Sequence, residues 1–177
     1  MSRKVIFSVA SSLDGRLAAR DGGIDWIQHS DEGMESLGDF WQSVDTILVG
    51  RKTYDFGRAK LGKSAPFAPG MKCYVFSRTL KPGDDPHVEV VSTDADKFIR
   101  KLKKQPGKNI FLMGGGELAQ SFFDAGLIDE VSLNIQPILL GGGPPLFPPL
   151  AREIKLNLTN SKSLKNGCVL ATYKVKR

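Results

Sequence analysis

The chain has 177 residues, 41% of them hydrophobic and 25% charged, and 25 Lys and Arg against 19 Asp and Glu leave a net charge of +6. These totals fit one globular domain, residues 1–177, able to bury a core without staples, and they exclude disordered and disulfide-framework chains. No run approaches the roughly 18 apolar residues of a membrane span and no signal-like apolar segment opens the chain, so a cytoplasmic protein is expected.

The positive charge fits nucleic acid, a membrane surface or a phosphorylated small molecule. Its one cluster, Lys101-Leu102-Lys103-Lys104, falls on the polar side of an amphipathic pattern and is expected to be a solvated helix face. Cys73 and Cys168 sit in strand-like runs as free thiols, and His29 and His87 lie far apart, so no metal site or triad is expected.

Residues 4–10 read as a central strand, apolar and β-branched. They empty into a glycine-bearing loop, residues 11–26, where Leu13, Leu17, Ile24 and Trp26 offer apolar surface; the loop is expected to be a lid. Residues 31–43 read as a helix capped by Ser30 or Asp31, with Met34, Leu37, Phe40 and Trp41 as its apolar stripe. Of its acids Asp31, Glu32, Glu35 and Asp39, one facing a ligand would be a proton-transfer candidate.

A second predicted strand, residues 46–49, ends at Gly50, and Arg51, Lys52, Thr53 and Tyr54 open a helical turn. A planar guanidinium, an ammonium, a hydroxyl and the N–H groups of a helix start together suit a phosphate. Two cations at a helix N-terminus run against its dipole and need such a reason. Residues 58–70 read as an exposed connection and residues 71–76 as a third strand, after which Ser77 and Arg78 repeat the polar, basic theme. Residues 88–91 form a short strand, and Thr93 is expected to cap a helix that turns Phe98, Ile99 and Leu102 inward.

The most distinctive stretch is Asn109-Ile110-Phe111-Leu112-Met113-Gly114-Gly115-Gly116-Glu117-Leu118: a buried strand, three glycines, then helical spacing through Leu118, Phe122 and Phe123. Without Cβ atoms a backbone can approach an anion closely and aim N–H groups and a helix dipole at it. Gly114, Gly116 and Ala119 satisfy the loose dinucleotide pattern, but the acids of the next strand, Asp129 and Glu130, stand at its beginning instead of its end, which disfavours a Rossmann unit. A second cluster, Gly141-Gly142-Gly143-Pro144-Pro145, reads as a sharp loop, and residues 154–163 and 168–176 as strands joined by Lys165-Asn166-Gly167.

Strands and helices thus alternate through the first 135 residues and a hairpin closes the chain, which predicts an α/β fold with a mostly parallel sheet. Ligands of such sheets sit beyond the carboxyl ends of the strands, where four turns here deliver glycines, cations or a lid.

These turns resemble the dihydrofolate reductase superfamily, including the reductase domain of riboflavin biosynthesis. Residues 47–54 resemble the dihydrofolate reductase segment that holds cofactor phosphates, Phe76-Ser77-Arg78 the strand end beside the 2′-phosphate, and Met113-Gly114-Gly115-Gly116-Glu117 the turn under the pyrophosphate. Ala10 and Leu17 match positions lining the nicotinamide. The opening Ser-Leu-Asp-Gly-Arg-Leu-Ala, Trp26, and the Ala125-Gly126-Leu127-Ile128-Asp129-Glu130 stretch are more similar to the riboflavin-pathway reductase. The resemblance implies a dihydrofolate reductase-like fold, a mixed sheet flanked by helices with a C-terminal antiparallel hairpin, and a homodimer. It also implies an NADPH-dependent reductase acting on a pyrimidine- or pterin-type substrate.

In that reading Arg51, Lys52, Thr53, Ser77 and Arg78 bind phosphates, Gly50 also lies against the cofactor, Gly114, Gly115 and Gly116 admit the pyrophosphate, and Ser12 and Trp26 contact the substrate. The acid that binds a pterin in dihydrofolate reductases falls near Met34 here, with Glu35 beside it, so Glu35 and Asp31 are the candidate proton donors. The alternatives are a dihydrofolate or pterin reductase and a nucleotide-binding module without catalysis.

Overall fold

The computed structural model describes residues 2–62, 65–113 and 115–176. In chain order these form β1 (Val5–Ser12), α1 (Asp31–Ser43), β2 (Val44–Gly50), α2 (Arg51–Leu61), β3 (Lys72–Phe76) and β4 (Glu89–Val91). There follow α3 (Ala95–Lys103), β5 (Asn109–Met113), α4 (Gly116–Asp124), β6 (Glu130–Gln136), β7 (Leu156–Ser163) and β8 (Val169–Val175). One sheet holds all eight strands in the order β4-β3-β2-β5-β1-β6-β8-β7. Six run parallel, and the β7–β8 hairpin joins antiparallel to β6, the expected mixed architecture.

Strand alternation divides the core. Val5, Phe7, Leu48, Ile110 and Leu112 meet Ile99 and Leu102 of α3 and Phe122 and Phe123 of α4. Ile47, Val49, Val75 and Phe111 point the other way, toward Tyr54 of α2 and Phe40 of α1. A side chain transferred from water to either layer contributes roughly 1.5–3 kcal/mol, so the central strands β1, β2 and β5 anchor the molecule.

Several expectations need correction. In α1 only Gly33 is buried; Met34 is 56% exposed, and Phe40 and Trp41 instead pack edge-on against Phe111. The helix covers β2 and β5 and leaves the adjoining face of β1, β6 and β8 open, which the 3.6-residue pattern cannot reveal. Residues 58–70 are not simply an exposed connection: α2 continues to Leu61, and Arg58 and Phe67 are buried. The Arg58 guanidinium lies over the Tyr54 and Phe67 rings and pairs with Asp85 at 2.5 Å. Asp94, not Thr93, caps α3, accepting from the backbone N–H groups of Asp96 and Lys97. Lys103 leaves the solvated face to pair with Asp129 at 2.5 Å.

The 11–26 loop is strapped down. The N–H groups of Leu13, Leu17 and Leu146 donate to the carbonyls of Ile138, Pro144 and Gly15, and Arg16 pairs with Pro145 as a β-bridge. Gly143 permits this at φ +100°, because a Cβ there would overlap the Ala18 carbonyl oxygen.

Candidate functional site

Two helices begin at the carboxyl end of the sheet without a side-chain cap. Gly50 precedes α2 and Gly115 precedes α4, and neither helix start has a capping hydrogen bond, whereas Ser30 and Asp94 cap α1 and α3. Uncapped first-turn N–H groups retain their donors for a ligand. Gly115 adopts φ +83°, and a Cβ on it would stand 3.3 Å from Thr53 Oγ1, so glycine there lets the two turns approach.

Both starts open into one groove of about 850 Å³. Gly50, Arg51, Lys52 and Thr53 line it from α2, Ser77 and Arg78 from the end of β3, and Gly115, Gly116 and Glu117 from α4. Three separate turns of the sequence reading therefore meet. Arg51 is held by Asp55 at 2.8 Å and by Thr79 Oγ1 at 3.2 Å. Lys52 donates to Glu117 at 2.6 Å, and this bond and the lysine charge hold the Glu117 carboxyl below the usual range. Thr79 and Ser92, which escaped the sequence reading because a hydroxyl in a loop carries no distinguishing pattern, line the same groove, as does Thr93, expected only as a helix cap. Gly114 lies outside the described residues.

A second cavity, about 740 Å³, runs between α1 and the open sheet face. Ala10 lines it, together with Gln28, His29 and Ser30 ahead of α1 and Ser132 and Asn134 of β6. The other expected residues are not gathered there. Asp31 and Glu35 are exposed on α1 and line neither cavity. Ser12 is fully buried, its hydroxyl donating to Asp14 and accepting from the Arg16 N–H. Trp26 donates its indole N–H to the Gly23 carbonyl, Leu17 packs on the core, and Met113 packs beside Phe111; none of the three lines either of these two cavities.

Asp14 explains the strapped loop. Its carboxylate accepts from the Ser12 hydroxyl and from the Leu140 and Gly141 N–H groups, and these bonds hold its pKa down at about 2. Fully buried Gln136 does similar work at the end of β6. Its Oε1 accepts from the Gln28 N–H at 2.9 Å and from Cys168 Sγ at 3.3 Å, fixing the segment that enters α1. Among the described residues no helix is long and apolar enough to cross a membrane, and no cluster of His, Cys, Asp and Glu could hold a metal ion.

Comparison with known proteins agrees with this architecture. The family model described as the RibD C-terminal domain matches residues 3–170. The uncharacterized protein YwjB of Bacillus subtilis (strain 168) is 39% identical over 163 residues, covering 92% of both chains. RibD of Mycobacterium tuberculosis (strain ATCC 25618 / H37Rv), a riboflavin biosynthesis protein, is 31% identical over 78% of this chain, which spans only 43% of that longer protein. Among solved structures, a Shewanella sp. PV-4 protein provisionally assigned to riboflavin biosynthesis superposes with a TM-score of 0.81 at 30% identity over the full length of both chains. The diaminohydroxyphosphoribosylaminopyrimidine deaminase/5-amino-6-(5-phosphoribosylamino)uracil reductase of Thermotoga maritima gives a TM-score of 0.74 at 20% identity, covering 99% of this chain and 57% of that one, and shows a shared fold.

Proposed function

The chain belongs to the RibD C-terminal domain family, and from that premise we propose that it is an NADPH-dependent reductase acting on a pyrimidine- or pterin-type acceptor. The observation that carries the reading is the meeting of two uncapped helix N-termini with Arg51, Lys52 and Arg78 in one groove. That donor set fits a dinucleotide: guanidinium and ammonium groups for phosphates, hydroxyls of Thr53 and Ser77, and a glycine backbone that a pyrophosphate can approach. Arg78 and Arg51 are assigned to the 2′-phosphate that distinguishes NADPH from NADH.

When bound, the cofactor supplies hydride; the acceptor carbon gains it and the neighbouring nitrogen or oxygen gains a proton. The chain contributes by holding the acceptor in the α1 cavity beside Ala10 and by keeping the strapped loop closed over the strand ends. Because Asp31 and Glu35 stand outside both cavities, the proton is assigned to solvent entering the open α1 cavity. The same displacement of acids favours the second reading, a nucleotide-binding module without catalysis. A homodimer is part of the proposal, supported by the β7 edge, whose residues are all exposed and include Leu156 and Leu158, and a cytoplasmic location is proposed with it.

Tryptophan fluorescence titration with NADPH and NADH tests the cofactor assignment. Tight, NADPH-selective quenching is expected, and its absence at sub-millimolar cofactor sinks the proposal. NADPH that binds but is not oxidised with a dihydropterin, with 5-amino-6-(5-phosphoribosylamino)uracil or with the unphosphorylated riboside transfers the case to the binding module. Light scattering decides the dimer.

A further inference from the structure

The two cavities differ in charge, and the difference bears on what the α1 cavity can take. Resting on the reductase reading, we propose that the acceptor is an uncharged, carbonyl- and hydroxyl-bearing nitrogen heterocycle without a phosphoryl group, and that Asn134 is its specificity contact.

Sheet register builds the floor of this cavity. Ser8 pairs with Ser132, Ser132 with Thr172, and Thr172 with Asn160, so one row of neutral polar side chains crosses four strands. All four line the cavity, and among the described residues none of their side chains makes a hydrogen bond. Alternation in strands puts them on the same face, where hydroxyls and an amide can pair with hydroxyls and carbonyls of a ligand.

Charge excludes a phosphoryl group. Among the described residues the Lys and Arg side chains lining the cavity come down to Lys162, and His29 is also in the lining. That ammonium already stands 3.4 Å from the Glu32 carboxylate and donates to Ser36 Oγ at 3.1 Å. Asp39 and Glu130 add two acids to the lining, Glu130 already paired with Lys4. A phosphoryl dianion entering here would shed water without gaining a free cation, a cost that the groove holding Arg51, Lys52 and Arg78 does not impose.

The next row supplies direction. Asn134, paired with Ala10, lines the cavity, and its Oδ1 accepts from Gln136 Nε2 at 3.0 Å. With that oxygen turned toward a buried neighbour, the Asn134 amide nitrogen faces no partner among the described residues and is free to donate to a ligand. It is a donor and matches a ring carbonyl or ring nitrogen. Gln136 is thus a positioning residue, holding Asn134 on one side and the Gln28 segment on the other.

The experiment uses the full chain saturated with NADP⁺, so that binding is read without turnover. Calorimetric titrations are run with 5-amino-6-ribosylaminouracil, with its 5′-phosphate, and with 7,8-dihydrobiopterin. At least one unphosphorylated probe should bind, and the riboside should bind no more weakly than its phosphate. Asn134→Leu should weaken that binding at least tenfold while NADPH affinity stays within twofold, and Asn134→Asp, which keeps the shape but loses the donor, should reproduce the loss. A tenfold preference for the phosphate, failure of both unphosphorylated probes to bind, or indifference to both variants overturns the proposal. Binding of the riboside or the pterin without NADPH oxidation leaves this substrate class standing and removes the reductase reading instead.

Discussion

Lys52 on α2 donates a hydrogen bond to Glu117 on α4 at 2.6 Å, joining the two helix starts across the proposed phosphate groove. Both side chains are more than four-fifths exposed, so the pair adds little to stability. A cofactor phosphate must compete with Glu117 for the ammonium. Glu117→Gln should therefore tighten NADPH by about threefold at low ionic strength, with the effect fading in salt, and leave the melting temperature unchanged. Lys52→Ala should weaken NADPH. Fluorescence titration at two salt concentrations checks both; weaker binding by Glu117→Gln would mean that the carboxylate itself contacts the cofactor.

Arg51 is oriented before any ligand arrives, by Asp55 and Thr79. Loss of a charge-assisted contact from such a side chain costs about 1.5–3 kcal/mol, so Arg51→Ala should weaken NADPH by roughly 10- to 100-fold. NADH, lacking the 2′-phosphate, should lose far less. The Arg51–Asp55 pair is partly exposed, and urea unfolding of the variant should match the parent. Equal losses for both cofactors would remove the 2′-phosphate role.

Glycines and strand ends made the residues of the proposed phosphate groove legible from the chain alone. Gly50, Arg51, Ser77, Arg78 and Gly115 each follow a short apolar run, and a parallel sheet must bring such positions to one edge. The proposed acceptor cavity lacked that signal. Asn134 and Ser132 are recognisable only once β6 is known to have one open face, because polar alternation in a strand marks solvent as readily as a ligand. Ser12 looked available in a loop and is instead consumed by Asp14, a pairing two residues apart that depends on the turn adopted. Arg58 in a Lys- and Gly-rich stretch looked solvated, since its partner Asp85 is distant in sequence.

That Arg58–Asp85 pair ties α2 to the loop following β3, and Tyr54 donates to the same carboxylate at 2.7 Å. Burial pushes the Asp85 carboxyl up, but hydrogen bonds from Tyr54, the His87 N–H and Arg58 outweigh it and hold the pKa below the usual value. Asp85→Ala strands a buried guanidinium and should cost about 3–5 kcal/mol in urea unfolding. A carboxylate with a depressed folded pKa stabilises above its unfolded pKa and loses that contribution as pH falls through the folded value. The parent should therefore lose this increment on acidification below about pH 4, and the variant should show a shallower acid limb. Identical acid limbs would remove the pair from the stability of the loop.

Asp14 offers the last test, on the strapped loop. Its carboxylate holds Leu140 and Gly141 through their N–H groups, with a pKa of about 2 set first by the Ser12 hydroxyl and then by those backbone donors. Because that value lies below the ordinary 3.8, the clamp is present throughout neutral and mildly acidic solution and is lost only as pH falls through about 2. Asp14→Ala should release residues 11–26 without unfolding the sheet. Trypsin cleavage after Arg16 and Arg20 should accelerate at least tenfold at neutral pH, and the Leu140 and Gly141 amides should lose hydrogen-exchange protection while β1 and β5 keep theirs. Asp14→Asn retains one acceptor oxygen and should fall between. If the alanine variant resists trypsin as the parent does, the backbone bonds of Leu13, Leu17 and Leu146 hold the loop unaided and Asp14 is dispensable to its closure.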